Sequence, residues 1–133
     1  MRAFAAALLA PLLAVGSCAR APPAPPAVVH YTLGVPYETG GVWQYPRADF
    51  SLDTTGLATV AASTHKPSTA DGERYDATAM AAGHRTLQLP AIARLTDLDT
   101  GLSALVRLND RGPVSPKRLV EVTPRVAQLL QIQ

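Results

Sequence analysis

The stretch LVRLNDRGP, Leu105 to Pro113, decides how this chain reads. Leu105, Val106 and Leu108 carry β-type apolar character, interrupted only by Arg107. Asn109, Gly112 and Pro113 are turn formers. The pattern predicts a buried strand that delivers one carboxylate, Asp110, to the point where strand gives way to a stiff turn. A side chain in such a place can be held rigidly and still meet a ligand. An Asp before Arg-Gly-Pro can also do no more than shape the turn. A second stretch, TADGERYDATAMAAGHRTL from Thr69 to Leu87, adds Glu73, Asp76 and His84 and tips the reading toward a site.

Around these two stretches, residues from Gly56 onward read as compact β structure with two short helices. Leu57 to Ala62 is a predicted strand, followed by a loop through Glu73. Asp76 precedes ATAMAA and is the expected N-cap of a short helix. Ile92 to Thr96 alternates like a half-buried strand. Asp97 to Gly101 supplies the turn into a strand from Leu102 to Leu108, and Leu119 to Val122 forms another. Thr123 and Pro124 open a final helix as cap and first-turn proline, with Val126, Leu129 and Leu130 as its core-facing stripe. Many short strands with few helices point to a small barrel.

Upstream, the chain begins MRAFAAALLAPLLAVGSC. One basic residue, Arg2, precedes an apolar run through Val15 that is too short to span a bilayer and has the size of a signal-peptide core. Val15-Gly16-Ser17-Cys18 resembles a bacterial lipobox, so residues 1–17 are expected to be removed and Cys18 to be lipidated. Cys18 is the single cysteine, which excludes an intramolecular disulfide. Cleavage takes 17 of the 133 residues and leaves 116. With Arg2 gone, the count becomes 11 basic against 10 acidic residues. The basic residues are scattered, with no run longer than Lys117-Arg118, and no nucleic-acid groove is indicated. His30, His65 and His84 have no ligand spacing, so neither a metal nor another cofactor is expected.

Residues 18–30 are proline-rich and predict an extended tether. Residues 31–54 form a lead-in containing Tyr31, Tyr37, Trp43, Tyr45 and Phe50, five of the six aromatics that follow Cys18. Gly40-Gly41 and Pro46 break it into short extended pieces. Such rings can offer flat faces to a ligand; the expectation is that they pack onto the domain that follows.

With these residues placed, the chain resembles the rare lipoprotein A family of septal-ring lytic transglycosylases. The resemblance rests on GLA at Gly56–Ala58, His65, TADGE at Thr69–Glu73, Asp76, GHRTL at Gly83–Leu87 and VRLNDRGP at Val106–Pro113, with Arg118 to Thr123 continuing in register. It covers residues 55–133 and implies a six-stranded double-psi β-barrel. It also implies that Asp110 is the catalytic acid/base and that Glu73, Asp76 and His84 belong to the same catalytic site, lining its groove to bind the glycan or tune the acid, with Thr69 and Arg111 as substrate-binding residues. The implied substrate is the peptidoglycan glycan strand, cut to leave 1,6-anhydromuramyl ends. The implied setting is the cell envelope, on the outer membrane through lipid on Cys18, with divisome proteins as possible partners.

The chemistry fits such a site. Breaking a glycosidic bond requires protonation of the leaving oxygen, so one carboxyl must hold a proton near neutral pH. In lytic transglycosylation the muramyl 6-hydroxyl attacks the anomeric carbon, no water is activated, and one acid that later acts as base can suffice. Two departures from the family pattern stand out. Thr59-Val60-Ala61-Ala62 occupies the place of an aromatic pair after GLA, and Glu121 stands where Asp is usual. The missing pair motivates the alternative, a non-catalytic wall-binding or divisome-interaction module.

Overall fold

The computed structural model describes residues 22–23, 25–62 and 67–133. The expected signal peptide, Cys18, the first part of the tether and His65 lie outside the described residues. Two strands, β1 (Tyr37–Thr39) and β2 (Val42–Gln44), form a separate antiparallel hairpin. The main sheet contains β3 (Ala58–Val60), β4 (Ala81–His84), β5 (Ala91–Thr96), β6 (Ser103–Asp110) and β7 (Val120–Val122), in the order β3-β7-β4-β6-β5. One helix, α1 (Pro124–Leu130), closes the chain. Among the described residues no helix is long and apolar enough to cross a membrane.

The connectivity determines what meets at the sheet centre. β3 pairs with β7 in parallel and β4 with β6 in parallel, whereas β4–β7 and β5–β6 are antiparallel. Parallel partners need crossover connections, and here the β4–β6 crossover lies inside the β3–β7 one. Strand β4 thus lies between β7 and β6, two strands that are distant from it in sequence. Among the described residues the main sheet has five strands rather than the six expected.

Local sequence explains β5, β6 and α1. Strand β5 alternates in burial along its length, with Ile92, Arg94 and Thr96 outward. It is joined to β6 by the Asp97–Gly101 turn, in which the Asp97 carboxylate accepts the Thr100 N–H at 3.1 Å. Strand β6 buries Ala104, Val106 and Leu108 and runs on through Asn109 and Asp110, two residues beyond the expected end. Thr123 caps α1, its Oγ1 accepting the Val126 N–H, with Pro124 in the first turn.

Three expectations are corrected. ATAMAA does not form a helix capped by Asp76: the chain turns at Ala77–Thr78, and Ala81 onward is β4. The alanines favour a helix locally, but small buried residues fit a central strand flanked on both edges, and tertiary pairing prevails. Among the described residues there is accordingly one helix rather than two. In α1 the inward stripe is Val126, Ala127 and Leu130, and Leu129 is exposed. The lead-in rings largely do not cover the barrel: Tyr31, Trp43, Tyr45 and Phe50 are exposed, and only Tyr37 is half-buried.

The lead-in docks through backbone instead. His30 N–H donates to the Asp71 carbonyl at 2.8 Å, Thr32 exchanges two hydrogen bonds with Leu89, and Arg47 N–H donates to the Thr86 carbonyl at 2.9 Å. The Tyr37 hydroxyl reaches the Arg85 carbonyl at 2.9 Å. Beneath lies the core of Leu89, Val106, Leu108, Val122, Val126 and Leu130, each at most 2% exposed.

Candidate active site

The TADGE loop and the end of β6 hold each other. Asp71, fully buried, accepts the Thr69 hydroxyl at 2.7 Å and the Glu73 N–H at 3.2 Å on Oδ1. Its own N–H donates to the Asn109 carbonyl at 3.2 Å. Asp110 Oδ1 in turn accepts the N–H of Ala70 at 3.0 Å and of Arg111 at 2.8 Å. The carboxyl of Asp110 is thereby fixed by backbone donors from both segments, which is a rigid mounting.

Glu73 is held still more closely. Oε1 accepts Arg107 Nε at 2.5 Å, and Oε2 accepts Asn109 Nδ2 at 2.6 Å. Arg107 also lies 3.6 Å from Asp71 Oδ2, so one guanidinium stands between two carboxylates. With a donor on each oxygen, one of them cationic, the Glu73 side chain is held firmly in place.

These groups face a cavity of about 270 Å³. Its polar wall is Glu73, Arg74, Tyr75, Asp76, Arg107, Asn109, Asp110 and Glu121; Ala81, Ala82 and Gly83 of β4 are part of its apolar lining. Asp76 sits on the exposed side, where the Thr78 hydroxyl and N–H on Oδ1, at 2.6 and 2.8 Å, hold its carboxyl below the usual carboxylate range. Burial pushes the Tyr75 phenol up, and the negative charges of Glu121, Asp76 and Asp110 push it further. Those three carboxylates and the Tyr75 ring line the same cavity.

Of the residues expected at the groove, the fold brings together Glu73, Asp76 and Asp110. Thr69, His84 and Arg111 are not among the lining residues. The Thr69 hydroxyl is engaged with Asp71. Arg111 donates to the carbonyls of Leu87, His84 and Leu33, at 2.5, 3.3 and 2.8 Å, and ties the lead-in to the turn after Asp110. His84 Nδ1 accepts the N–H of both Thr86 and Leu87 at 3.2 Å. Burial, then the cations of Arg85 and Arg111, hold its pKa down from 6.5 to about 4. A neutral ring folding its own loop is the outcome. Tyr75, Arg107 and Asn109 escaped the sequence reading as cleft residues, and Glu121 entered it only as a departure. The signal for Arg107 was its polar interruption of an apolar strand.

A mainly β domain with interlaced parallel strand pairs and a carboxylate-lined cleft at their meeting point belongs to the double-psi β-barrel class. The lytic transglycolase family model matches residues 57–133, and the chain belongs to that family. It is 34% identical over 95 residues to the endolytic peptidoglycan transglycosylase RlpA of Helicobacter pylori, covering 70% of this chain and 30% of that protein. Against the protein of the same name from Pseudomonas aeruginosa it is 39% identical over 97 residues, covering 71% and 28%. Against that from Rickettsia felis it is 30% identical over 105 residues, covering 76% and 46%. The chain thus spans less than half the length of these curated relatives.

Proposed function

We propose that the protein cleaves peptidoglycan glycan strands by lytic transglycosylation, at the bond between N-acetylmuramic acid and N-acetylglucosamine. The observation that carries this is the mounting of Asp110: a carboxyl at the end of a buried strand, fixed by two backbone N–H groups and facing a cleft. The names of the relatives supply the substrate class. Asp110 protonates the leaving oxygen as the C1–O4 bond breaks, and the muramyl O6 closes onto C1. The 6-hydroxyl proton must then pass to a base.

Around that acid, Glu73 with Arg107 and Asn109 fixes the wall of the cleft, and Asp76 at its exposed side contacts the glycan. His84, Thr69 and Arg111 act from behind, by shaping the loops that present these groups. The wider setting belongs to the same proposal: a cell-envelope protein, tethered to the outer membrane through Cys18 by a proline-rich spacer, with divisome proteins as candidate partners. Its support is the lipobox-like segment and the composition of the spacer.

The test is digestion of purified sacculi by the processed protein, with mass spectrometry of the products. The expected result is anhydromuramyl ends with wild type and at least a 100-fold loss with Asp110→Asn. Wild-type protein that sediments with sacculi yet releases no anhydro product would replace this reading with the non-catalytic wall-binding module.

A further inference from the structure

Strand β7 places a further carboxylate, Glu121, on the cleft, and the sheet order relates it to Asp110. Gly83 of β4 is paired on one side with Asp110 of β6 and on the other with Glu121 of β7. The β4–β6 register shifts between Ala82 and Gly83, an irregularity that lets the end of β6 depart from strict alternation. Two strand spacings put the Asp110 and Glu121 Cα atoms about 10 Å apart. Both residues line the cavity.

Glycines make the arrangement possible. A side chain on Gly83 would press on the Asp110 carbonyl oxygen at 3.3 Å and the Gly112 nitrogen at 3.5 Å, so the turn after Asp110 folds directly across this bare position. Gly112, at φ +153, meets the Glu121 Oε2 atom where a Cβ would stand. This is backbone that only glycine adopts readily. The turn that carries the acid thus ends against the Glu121 carboxylate. Glu121 has no hydrogen-bond or ion-pair partner among the described residues, whereas Glu73 has both oxygens occupied. The charged and titratable groups facing it across the cleft are Asp110 and Arg107 from β6, and Glu73, Arg74, Tyr75 and Asp76 from the preceding loop.

We propose that Glu121 is the base of the reaction, a second catalytic residue distinct from the acid. This rests on the transglycosylase reading above. As the C1–O4 bond breaks, O4 takes the proton of Asp110. As O6 bonds to C1, the 6-hydroxyl proton passes to Glu121. Asp110 ends as carboxylate and Glu121 as acid, and exchange with solvent restores both. Nothing is oxidised or reduced, and no water is consumed.

The experiment compares wild type with Glu121→Gln, Glu121→Ala and Glu121→Asp on peptide-free glycan strands, with folding checked by circular dichroism. The expected results are a kcat loss of about 100-fold for Glu121→Gln with KM little changed, recovery of Glu121→Ala by added formate, and activity of Glu121→Asp within tenfold of wild type. Formate recovery is a signature that a purely structural role would not produce. Glu121→Gln with kcat within threefold of an active wild type overturns this proposal alone. So does a folded, inactive Glu121→Ala that formate does not restore. Wild type that forms no anhydro product overturns both readings.

Discussion

Acidification is expected to destabilise this fold through one imidazole, that of His84. Its Nδ1 accepts two backbone N–H groups, and protonation would turn that acceptor into a donor facing donors. Burial and the neighbouring arginines hold its pKa at about 4 in the folded protein, against 6.5 for the ordinary group. Between those values the unfolded chain binds more protons than the folded one, so stability falls as pH drops through 6.5 and the loss is complete below about 4. A displacement of that size bounds the effect at about 3.4 kcal/mol. The ring keeps some solvent contact, which screens the interaction and brings the expected figure to about 2 kcal/mol. Carboxylates such as Asp76 and Asp97 add their own losses at low pH, so the measurement must be a difference. Wild type and His84→Asn are unfolded in urea at pH 7 and pH 4. The Asn Oδ1 can accept the same N–H groups and does not titrate. The wild type should lose about 2 kcal/mol more than the variant between the two pH values, and equal losses would refute the role assigned to His84.

Arg107→Met should cost about 3 kcal/mol in urea unfolding, because it leaves the fully buried Asp71 carboxylate without its cation. Adding Asp71→Asn should recover part of that cost, giving a coupling that a double-mutant cycle measures. Gly72→Ala should cost about 2 kcal/mol, since Gly72 has φ +89 and an added Cβ would run into the Val28 carbonyl oxygen. Limited proteolysis of that variant should show faster cutting around Val28 to Leu33, where the lead-in crosses the TADGE loop.

Local pattern was sufficient wherever neighbours in sequence are neighbours in space. The alternation of Ile92 to Thr96, the Asp97–Gly101 turn and β6 form one hairpin, and its contacts are read almost entirely from period and turn residues. The Thr123-Pro124 start of α1 is equally local. Asp110 was found for the same reason, being the last strand residue before obvious turn formers. The interior of TADGERYDATAMAAGHRTL was harder. Asp76 with the alanines after it looks like a capped helix over any four-residue window, and nothing inside that window reports that two remote strands will flank Ala81 to His84.

What the sequence alone determined is therefore the chemistry available and the order in which it is delivered: a carboxylate at a strand end, an acidic loop before it, and the family motifs that join them. Only the tertiary structure decided how those groups are used. It turned His84 toward its own loop, tied Arg111 to three carbonyls, clamped Glu73 between Arg107 and Asn109, and brought Glu121 to the cleft across Gly83. The His84 bonds are local, but the other three join segments more than 20 residues apart, brought together by which strands can share a core rather than by the residues beside them. That choice is a long-range competition for burial, and no local periodicity encodes its result.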